Sequence, residues 1–204
     1  ICASSSSVYG NTRKMPIKET ASTDYPIQFY AATKKANEVF AHSYSELYSI
    51  NISMLRFFTV YGPWGRPDMA LSKFTKNIIE NKPINLFNYG NHTRTFSYID
   101  DVIGSINLII KKFHLDKNIK KKYRILNVSS NNKTTLKRYV ALIEKSLNKK
   151  SKKKFLKLQK GDINKSYASV ALLKKLNLLK NVTSVENGIQ NFINWYLNYK
   201  KNNF

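Results

Sequence analysis

A single helical stretch of this chain lies between two β-rich segments, and that order of strand, helix and strand restricts the fold more than anything else in the sequence. From Ile27 to Tyr48 apolar residues recur at Phe29, Ala36, Val39, Phe40, Tyr44 and Leu47, a helical spacing, with Pro26 just ahead as an entry signal. Ile1 to Ala3 read as the end of a strand, and Asn51 to Phe58 read as the strand that follows the helix. The three make a strand–helix–strand unit of the parallel-sheet type, so an α/β protein is expected.

The first turns of the helix carry Tyr30-Ala31-Ala32-Thr33-Lys34, and Ser4 to Ser7 lie upstream at the C-terminal edge of the first strand. A Tyr and a Lys four residues apart share one helix face, with Cβ atoms roughly 5–6 Å apart, which sets an ammonium beside a phenol. A nearby cation favours the phenolate, and an acid–base tyrosine needs that bias because a free phenol titrates at about 10. The bare pattern is weak, since a chain this rich in Tyr and Lys should contain it about twice by chance. Tyr196 and Lys200 form a second copy. Either copy can equally be a helix-face Tyr beside a solvated Lys, so the surroundings must separate them.

At 204 residues with 42% apolar and 13% aromatic content, the chain is globular and can bury one core or two small ones. The lone cysteine, Cys2, excludes an internal disulfide framework. No apolar run approaches the length of a membrane span, and no signal-peptide pattern opens the chain, so a cytoplasmic protein is expected. The chain starts at Ile1, inside a strand, and a fragment of a longer protein is therefore expected.

The net charge of +23 is uneven: residues 1–102 hold 11 basic and 8 acidic side chains, and residues 103–204 hold 24 and 4. A basic half raises the possibility of a nucleic-acid or anionic-membrane partner. The excess is nearly all Lys, in runs such as Lys120 to Lys122 and Lys149 to Lys154, without the Arg or interleaved aromatics that stack on bases. A solvated lysine surface is the better reading, and no nucleic-acid partner is expected.

Further along, Ser4 to Lys18 read as a loop with a turn at Gly10-Asn11. Thr59 to Asp68, with two prolines and two glycines, reads as a second loop, placed where ligand groups gather after parallel strands. Met69 to Asn81 reads as a helix, Ile84 to Asn88 as a strand, and Thr95 to Ile99 as an extended piece with Arg94 in the turn before it. A helix from Asp101 to about Phe113, a strand over Arg124 to Val128, a helix over Leu136 to Leu147, an edge strand over Phe155 to Leu158 and a closing helix from Val185 to Leu197 complete the pattern.

Ser4-Ser-Ser-Ser-Val-Tyr-Gly10, Tyr30-x-x-x-Lys34 and Leu55-Arg-Phe-Phe-Thr-Val-Tyr-Gly-Pro63 together resemble the extended short-chain dehydrogenase/reductase family of nucleotide-sugar epimerases and dehydratases. Gly62-Pro-Trp-Gly-Arg-Pro-Asp-Met-Ala70 and Arg94-Thr-Phe-Ser-Tyr-Ile-Asp-Asp101 are similar, more narrowly, to UDP-glucuronate 4-epimerases. The resemblance implies the C-terminal part of a Rossmann-like doubly wound parallel sheet plus a smaller α/β substrate-binding domain. Residues 1–62 would belong to the NAD-binding domain and residues 63–204 mainly to the UDP-sugar domain, with about 98–129 returning to the first.

By the same resemblance Tyr30 is the acid–base and Ser5 hydrogen-bonds the reacting sugar hydroxyl. Lys34 holds the nicotinamide ribose and favours the phenolate, Phe57 and Phe58 abut the nicotinamide, and Ser6, Ser7 and Thr59 line the sugar pocket. Leu86 and Phe87 contact the uracil and Arg94 the pyrophosphate; no metal is implied. Apart from the resemblance, a 4-keto hexuronate is a β-keto acid that must be kept from losing carbon dioxide, so the planar fork of Arg66, with the Thr59 hydroxyl from the same loop, is expected to hold the sugar carboxylate. The implied activity is NAD-dependent interconversion of UDP-glucuronate and UDP-galacturonate through a 4-keto sugar, by a homodimer. A UDP-glucuronate decarboxylase or another nucleotide-sugar epimerase/dehydratase is the nearest alternative, and a lysine-rich nucleic-acid-binding module a distant one. The sequence departs from the family pattern in two places. It has no glycine-rich dinucleotide fingerprint, so these residues alone are expected to be inactive, and Ser169 stands where the family's Tyr-Ala-Asp segment has its carboxylate.

Overall fold

The computed structural model describes residues 1–115, 122–159, 161–180 and 182–203. Of the Lys120 to Lys122 run, Lys120 and Lys121 lie outside the described residues. Strand β1 (Cys2–Ser5) leads to helix α1 (Phe29–Tyr48), and β2 (Ile52–Phe57) returns parallel to β1, with Ser5 opposite Phe57. After Phe57 the chain leaves this sheet and comes back at β6 (Tyr123–Val128), which pairs with β2 in parallel and completes the order β1-β2-β6.

β2 is buried on both faces, as expected of the middle strand of a parallel sheet covered by helices. On one face Met54 and Ile52 meet Ala41 of α1. On the other, Leu55 and Leu126 meet Val102 and Ile109 of helix α3 (Ile99–Phe113).

A second body is built between β2 and β6 and after β6. Strand β3 (Thr59–Tyr61) pairs in parallel with β5 (Thr93–Tyr98), and β5 also takes β7 (Lys133–Thr135) and β9 (Lys165–Ser166). Strand β4 (Ile84–Leu86) pairs with β8 (Lys153–Phe155). Helices α2 (Ala70–Ile79), α4 (Leu136–Ser146) and α6 (Val185–Asn203) enclose a core that includes Phe74, Tyr139, Ile143, Ile189 and Phe192. The short α5 (Ala171–Lys175) places Leu173 in the core beneath α3.

Several expectations are corrected. Ser4 and Ser5 belong to β1, and only Ser6 and Ser7 enter the one-turn 3₁₀ helix that follows, because pairing with β2 carries the strand on to Ser5. Thr59 to Tyr61 are a strand, since β5 offers a parallel edge, and irregular chain starts at Gly62. There φ is 147°, and a Cβ would stand 2.5 Å from Ile99, so glycine is required. Arg94 lies within β5 rather than in a turn. The edge strand near Phe155 runs earlier, over Lys153–Phe155, because β4 pairs there.

The largest difference concerns α1. Its apolar positions Phe29, Val39, Phe40, Tyr44 and Leu47 stand exposed, and its buried residues are Ala31, Glu38, Ala41 and Ser45. The face that meets the sheet is lined by small side chains around one carboxylate, which a search for apolar periodicity passes over.

Candidate active site

The C-terminal ends of β1 and β2 put Ser5 and Phe57 at paired positions. The Ser5 Oγ accepts from the Ser7 N–H at 3.2 Å and from the Ser7 hydroxyl at 3.0 Å, so the 3₁₀ turn fixes the serine hydroxyls beside one another. Such an edge is where open α/β sheets gather ligand groups. Tyr30 and Lys34 come from the first two turns of α1, and the Lys34 ammonium lies 5.7 Å from the centroid of the Tyr30 ring. The ammonium also donates to the Ala3 carbonyl at 3.2 Å, which ties the Tyr30 turn to the serine strand. Tyr30 is 53% exposed, so its ring is open to a ligand.

Behind these groups stands a buried polar network. Arg56, the one charged residue of β2, grips Glu38 of α1 with both ends of its fork, Nε to Oε1 at 2.8 Å and Nη2 to Oε2 at 2.7 Å. The Ser4 hydroxyl donates to Glu38 Oε1 at 2.6 Å, and the Tyr9 ring lies 4.7 Å from the Arg56 guanidinium carbon. Burial alone would raise the Glu38 pKa, but the hydrogen bonds from Arg56 and Ser4 and the Arg56 charge outweigh it and hold the carboxyl below its ordinary range. Sequence reasoning missed both residues. The available signal was Arg56 itself: a lone charge in a strand buried on both faces demands a buried partner.

Two adjoining cavities lie farther along, sharing Thr59, Met69, Ala70 and Phe96 as a common wall. The first, about 410 Å³, has Arg66 and Trp64 at its edge. Arg66 is exposed, and its fork is taken by Asp68, Nε to Oδ1 at 3.0 Å and Nη2 to Oδ2 at 2.5 Å. The second, about 550 Å³, is lined by Asn85, Phe87, His92, Arg94 and Asp162. Here the Arg94 guanidinium donates to the Asn164 carbonyl at 2.9 Å, to Asp162 Oδ1 at 3.2 Å and to the Ile163 carbonyl. Burial lowers the Arg94 pKa, with Asp162 opposing the shift. The His92 Nε2 is 2.9 Å from Asp162 Oδ2, and burial pulls that imidazole down while Asp162 pushes it up.

Phe87, Thr59 and Arg94 thus share one cavity, and Thr59 and Arg66 share the other. The Leu86 side chain does not line either: it is 1% exposed within the core, and its carbonyl accepts from the Leu156 N–H. Strand alternation sends Asn85 and Leu86 to opposite faces, and Leu86 takes the inner one. Ser5, Tyr30 and Lys34 lie outside both cavities, on the open face at the ends of β1 and β2. Among the described residues no cluster of His, Cys, Asp and Glu has the make-up of a metal site, and no helix is long and apolar enough to cross a membrane.

Comparison with known proteins gives relatives over nearly the whole chain. Protein CapI of Staphylococcus aureus is 41% identical over 98% of this chain and 64% of its own length. UDP-glucuronate 4-epimerase 1 of Arabidopsis thaliana is 40% identical over 98% of this chain and 49% of its own. The crystal structure of UDP-glucuronic acid 4-epimerase from Bacillus cereus, in complex with UDP-glucuronic acid and NAD, superposes with a TM-score of 0.86 at 29% identity. It covers 97% of this chain and 60% of that one. The chain therefore spans about half to two thirds of the length of these relatives. The model of the NAD-dependent epimerase/dehydratase family matches residues 1–129, which hold the serine strand, the Tyr30 helix and the Arg56 strand, and the chain belongs to that family.

Proposed function

We propose that this chain forms the substrate-binding and acid–base part of an NAD-dependent UDP-hexuronate 4-epimerase that interconverts UDP-glucuronate and UDP-galacturonate. The observation that carries this reading is the bond from Lys34 to the Ala3 carbonyl, which joins the Tyr30 turn to the serine strand beside Ser5. The names of the Arabidopsis relative and the Bacillus neighbour support the choice of sugar.

Residues of this chain fit the nicotinamide end of the cofactor. Tyr30 is open to a ligand, the Lys34 ammonium is 5.7 Å from its ring centroid and donates to Ala3 of β1, and Phe57 stands opposite Ser5. For the pyrophosphate, residues 1–204 contain no Gly-x-Gly-x-x-Gly turn, so under this proposal other residues hold it. When bound, NAD supplies a hydride acceptor and donor at C4 of the sugar. Ser5 orients the C4 hydroxyl, and Tyr30 as phenolate takes its proton, holds it and returns it. Arg94 and Phe87 anchor the UDP moiety at the larger cavity, remote from the chemistry, which leaves the sugar ring free to turn.

A ketone at C4 makes the C6 carboxylate a β-keto acid, which loses carbon dioxide when its C5–C6 bond stands perpendicular to the carbonyl plane. Arg66, with Thr59 beside it on the cavity wall, prevents that geometry by exchanging its planar two-point grip on Asp68 for one on the sugar carboxylate. The proposal includes a homodimer through α1, whose exposed apolar stripe a second copy would cover.

The test is a protein carrying these residues behind a glycine-rich segment, incubated with UDP-glucuronate and followed by NMR. UDP-galacturonate should appear, and Arg66→His should release UDP-pentose while slowing epimerisation. An active wild type that yields only UDP-pentose would replace the epimerase by a decarboxylase. Absence of turnover together with salt-sensitive DNA binding would move the protein out of sugar chemistry. Sedimentation as a monomer would remove the dimer.

A further inference from the structure

The side of α1 that touches the sheet is unusual for a helix of 20 residues: what it buries is Ala31, Ala41 and Ser45 around the carboxylate of Glu38. Small side chains let the helix lie close to β1 and β2, but they give it little to catch on. Apolar burial is non-directional, and a row of alanines and serines can rotate or slide at small cost. The bidentate grip of Arg56 on Glu38 is directional, because two parallel N–H donors must meet two carboxylate oxygens. Both side chains are nearly fully buried, 3% and 2% exposed, so no solvent competes for them.

The partners of the pair are arranged along the two strands. Arg56 stands opposite Ser4 in the β1–β2 register, and the Ser4 hydroxyl donates to the same Glu38 oxygen that Arg56 Nε reaches. The Arg56 Nη1 is held by the Glu19 carbonyl at 3.0 Å, and one face of the guanidinium is covered by Tyr9, whose hydroxyl donates to Asn127 of β6. Arg56 is therefore fixed before it meets the helix. One turn N-terminal to Glu38, Lys34 bonds the Ala3 carbonyl. Two successive turns of α1 are thus pinned to two successive residues of β1, with Ser5 next in the strand and Tyr30 one turn earlier in the helix.

We propose that Glu38, locked by Arg56 and tied to Ser4, is the positioning residue that sets the rotation and register of α1 against β1, and so where Tyr30 stands relative to Ser5. The inference rests on the reading of Tyr30 and Ser5 as the acid–base pair. It assigns the conformational choice of α1 to one buried ion pair, where the apolar residues of the helix make none.

The test replaces the pair without emptying its space. In the complete protein, Glu38→Leu combined with Arg56→Met removes both charges and keeps the volume, a change that buried pairs commonly tolerate. A merely structural pair would be rescued in full by this variant. A positioning pair would not: the double variant should melt close to wild type, while kcat falls roughly tenfold to a hundredfold and KM for the UDP-sugar stays within about twofold. Its crystal structure should show α1 displaced along β1, with the Lys34 bond to Ala3 lost. Wild-type kcat in the folded double variant, or α1 unmoved in its crystal, overturns the proposal.

Glu38→Gln, which keeps the shape and an acceptor for Ser4, carries the same test if the double variant does not fold. It should lose kcat at unchanged KM, and an unchanged kcat overturns the proposal there too. A wild type without UDP-sugar turnover would remove the acid–base reading by itself, and the position of α1 in the variant crystals would still decide the register.

Discussion

On α1 the Lys34 ammonium stands 5.7 Å from the centroid of the Tyr30 ring, and on α6 the Lys200 ammonium stands 5.8 Å from that of Tyr196. The two turns have the same sequence pattern and the same local geometry. Their surroundings differ. Lys34 reaches across to the Ala3 carbonyl inside the parallel strand β1, and the Tyr30 ring is open. Tyr196 packs against Phe192 and Trp195, and burial, helped by the Glu80 charge, raises its pKa and so favours the neutral phenol. Lys200 faces Glu80 at 3.9 Å. A four-residue spacing brings phenol and ammonium together in either helix, and only the neighbouring elements decide whether the phenol stays open or packs against a core. The helices are also held differently: α1 by a buried ion pair among small residues, α6 by Val185, Ile189, Phe192 and Ile193 in the main core.

The largest expected effect separates the two tyrosines. In the complete protein Tyr30→Phe should lower kcat by about 10²–10⁴-fold with little change in UDP-sugar affinity, since only the proton acceptor is lost. Tyr196→Phe should leave the rate unchanged. Steady-state kinetics of both variants checks this, and equal losses would mean that the comparison picks the wrong turn.

The next effect concerns how each helix is held. Arg56→Ala leaves Glu38 buried without its cation, which should cost about 3–5 kcal/mol and concentrate the damage in α1. A chain of this size would then melt lower by roughly 6–20 °C in a thermal scan. A loss below ~1 kcal/mol would show that the pair is dispensable to α1.

On the α6 side a single added methyl group should matter. A Cβ at Gly188 would fall 2.1 Å from the Tyr61 hydroxyl oxygen, in the core where Tyr61 packs edge-on to Phe96, Tyr98 and Tyr139. Gly188→Ala should cost about 1–3 kcal/mol by overpacking, read as a shifted denaturation midpoint. An unchanged midpoint would mean that α6 is held less tightly than its packing implies.

The smallest effect is in pH. Glu38 has a depressed folded pKa, so its contribution to stability is present above the ordinary carboxylate range and is lost as pH falls through the folded value. On α6 the carboxylate held low is Glu186, paired with Arg138 at the exposed first turn, where such a pair contributes little, and the packing of Phe192 and Ile189 carries no charge. Lowering pH below the ordinary carboxylate range should therefore raise amide exchange in α1 before α6, measured by hydrogen exchange. Simultaneous loss would remove the distinction between the two helices.

Periodicity and composition alone determined the α/β class, the existence of α1, α2, α3, α4 and α6, and the β2 and β6 segments, within a few residues at their ends. They did so because helix and strand periods are local properties of the chain. The family resemblance alone implies roles for Ser5, Tyr30, Lys34 and Arg94. Which side of α1 is buried was not legible, because the sheet selects Ala31, Glu38, Ala41 and Ser45 while the louder apolar pattern faces outward. Nor was β3, whose strand state depends on an edge offered by β5 more than thirty residues later in the chain. The pairing of Arg56 with Glu38, the capture of Arg94 by Asp162 and the packing of one Tyr-x-x-x-Lys turn against a core are likewise tertiary outcomes. A charged side chain states in the sequence that it needs a partner, but only the folded chain, through distance and burial, selects which one.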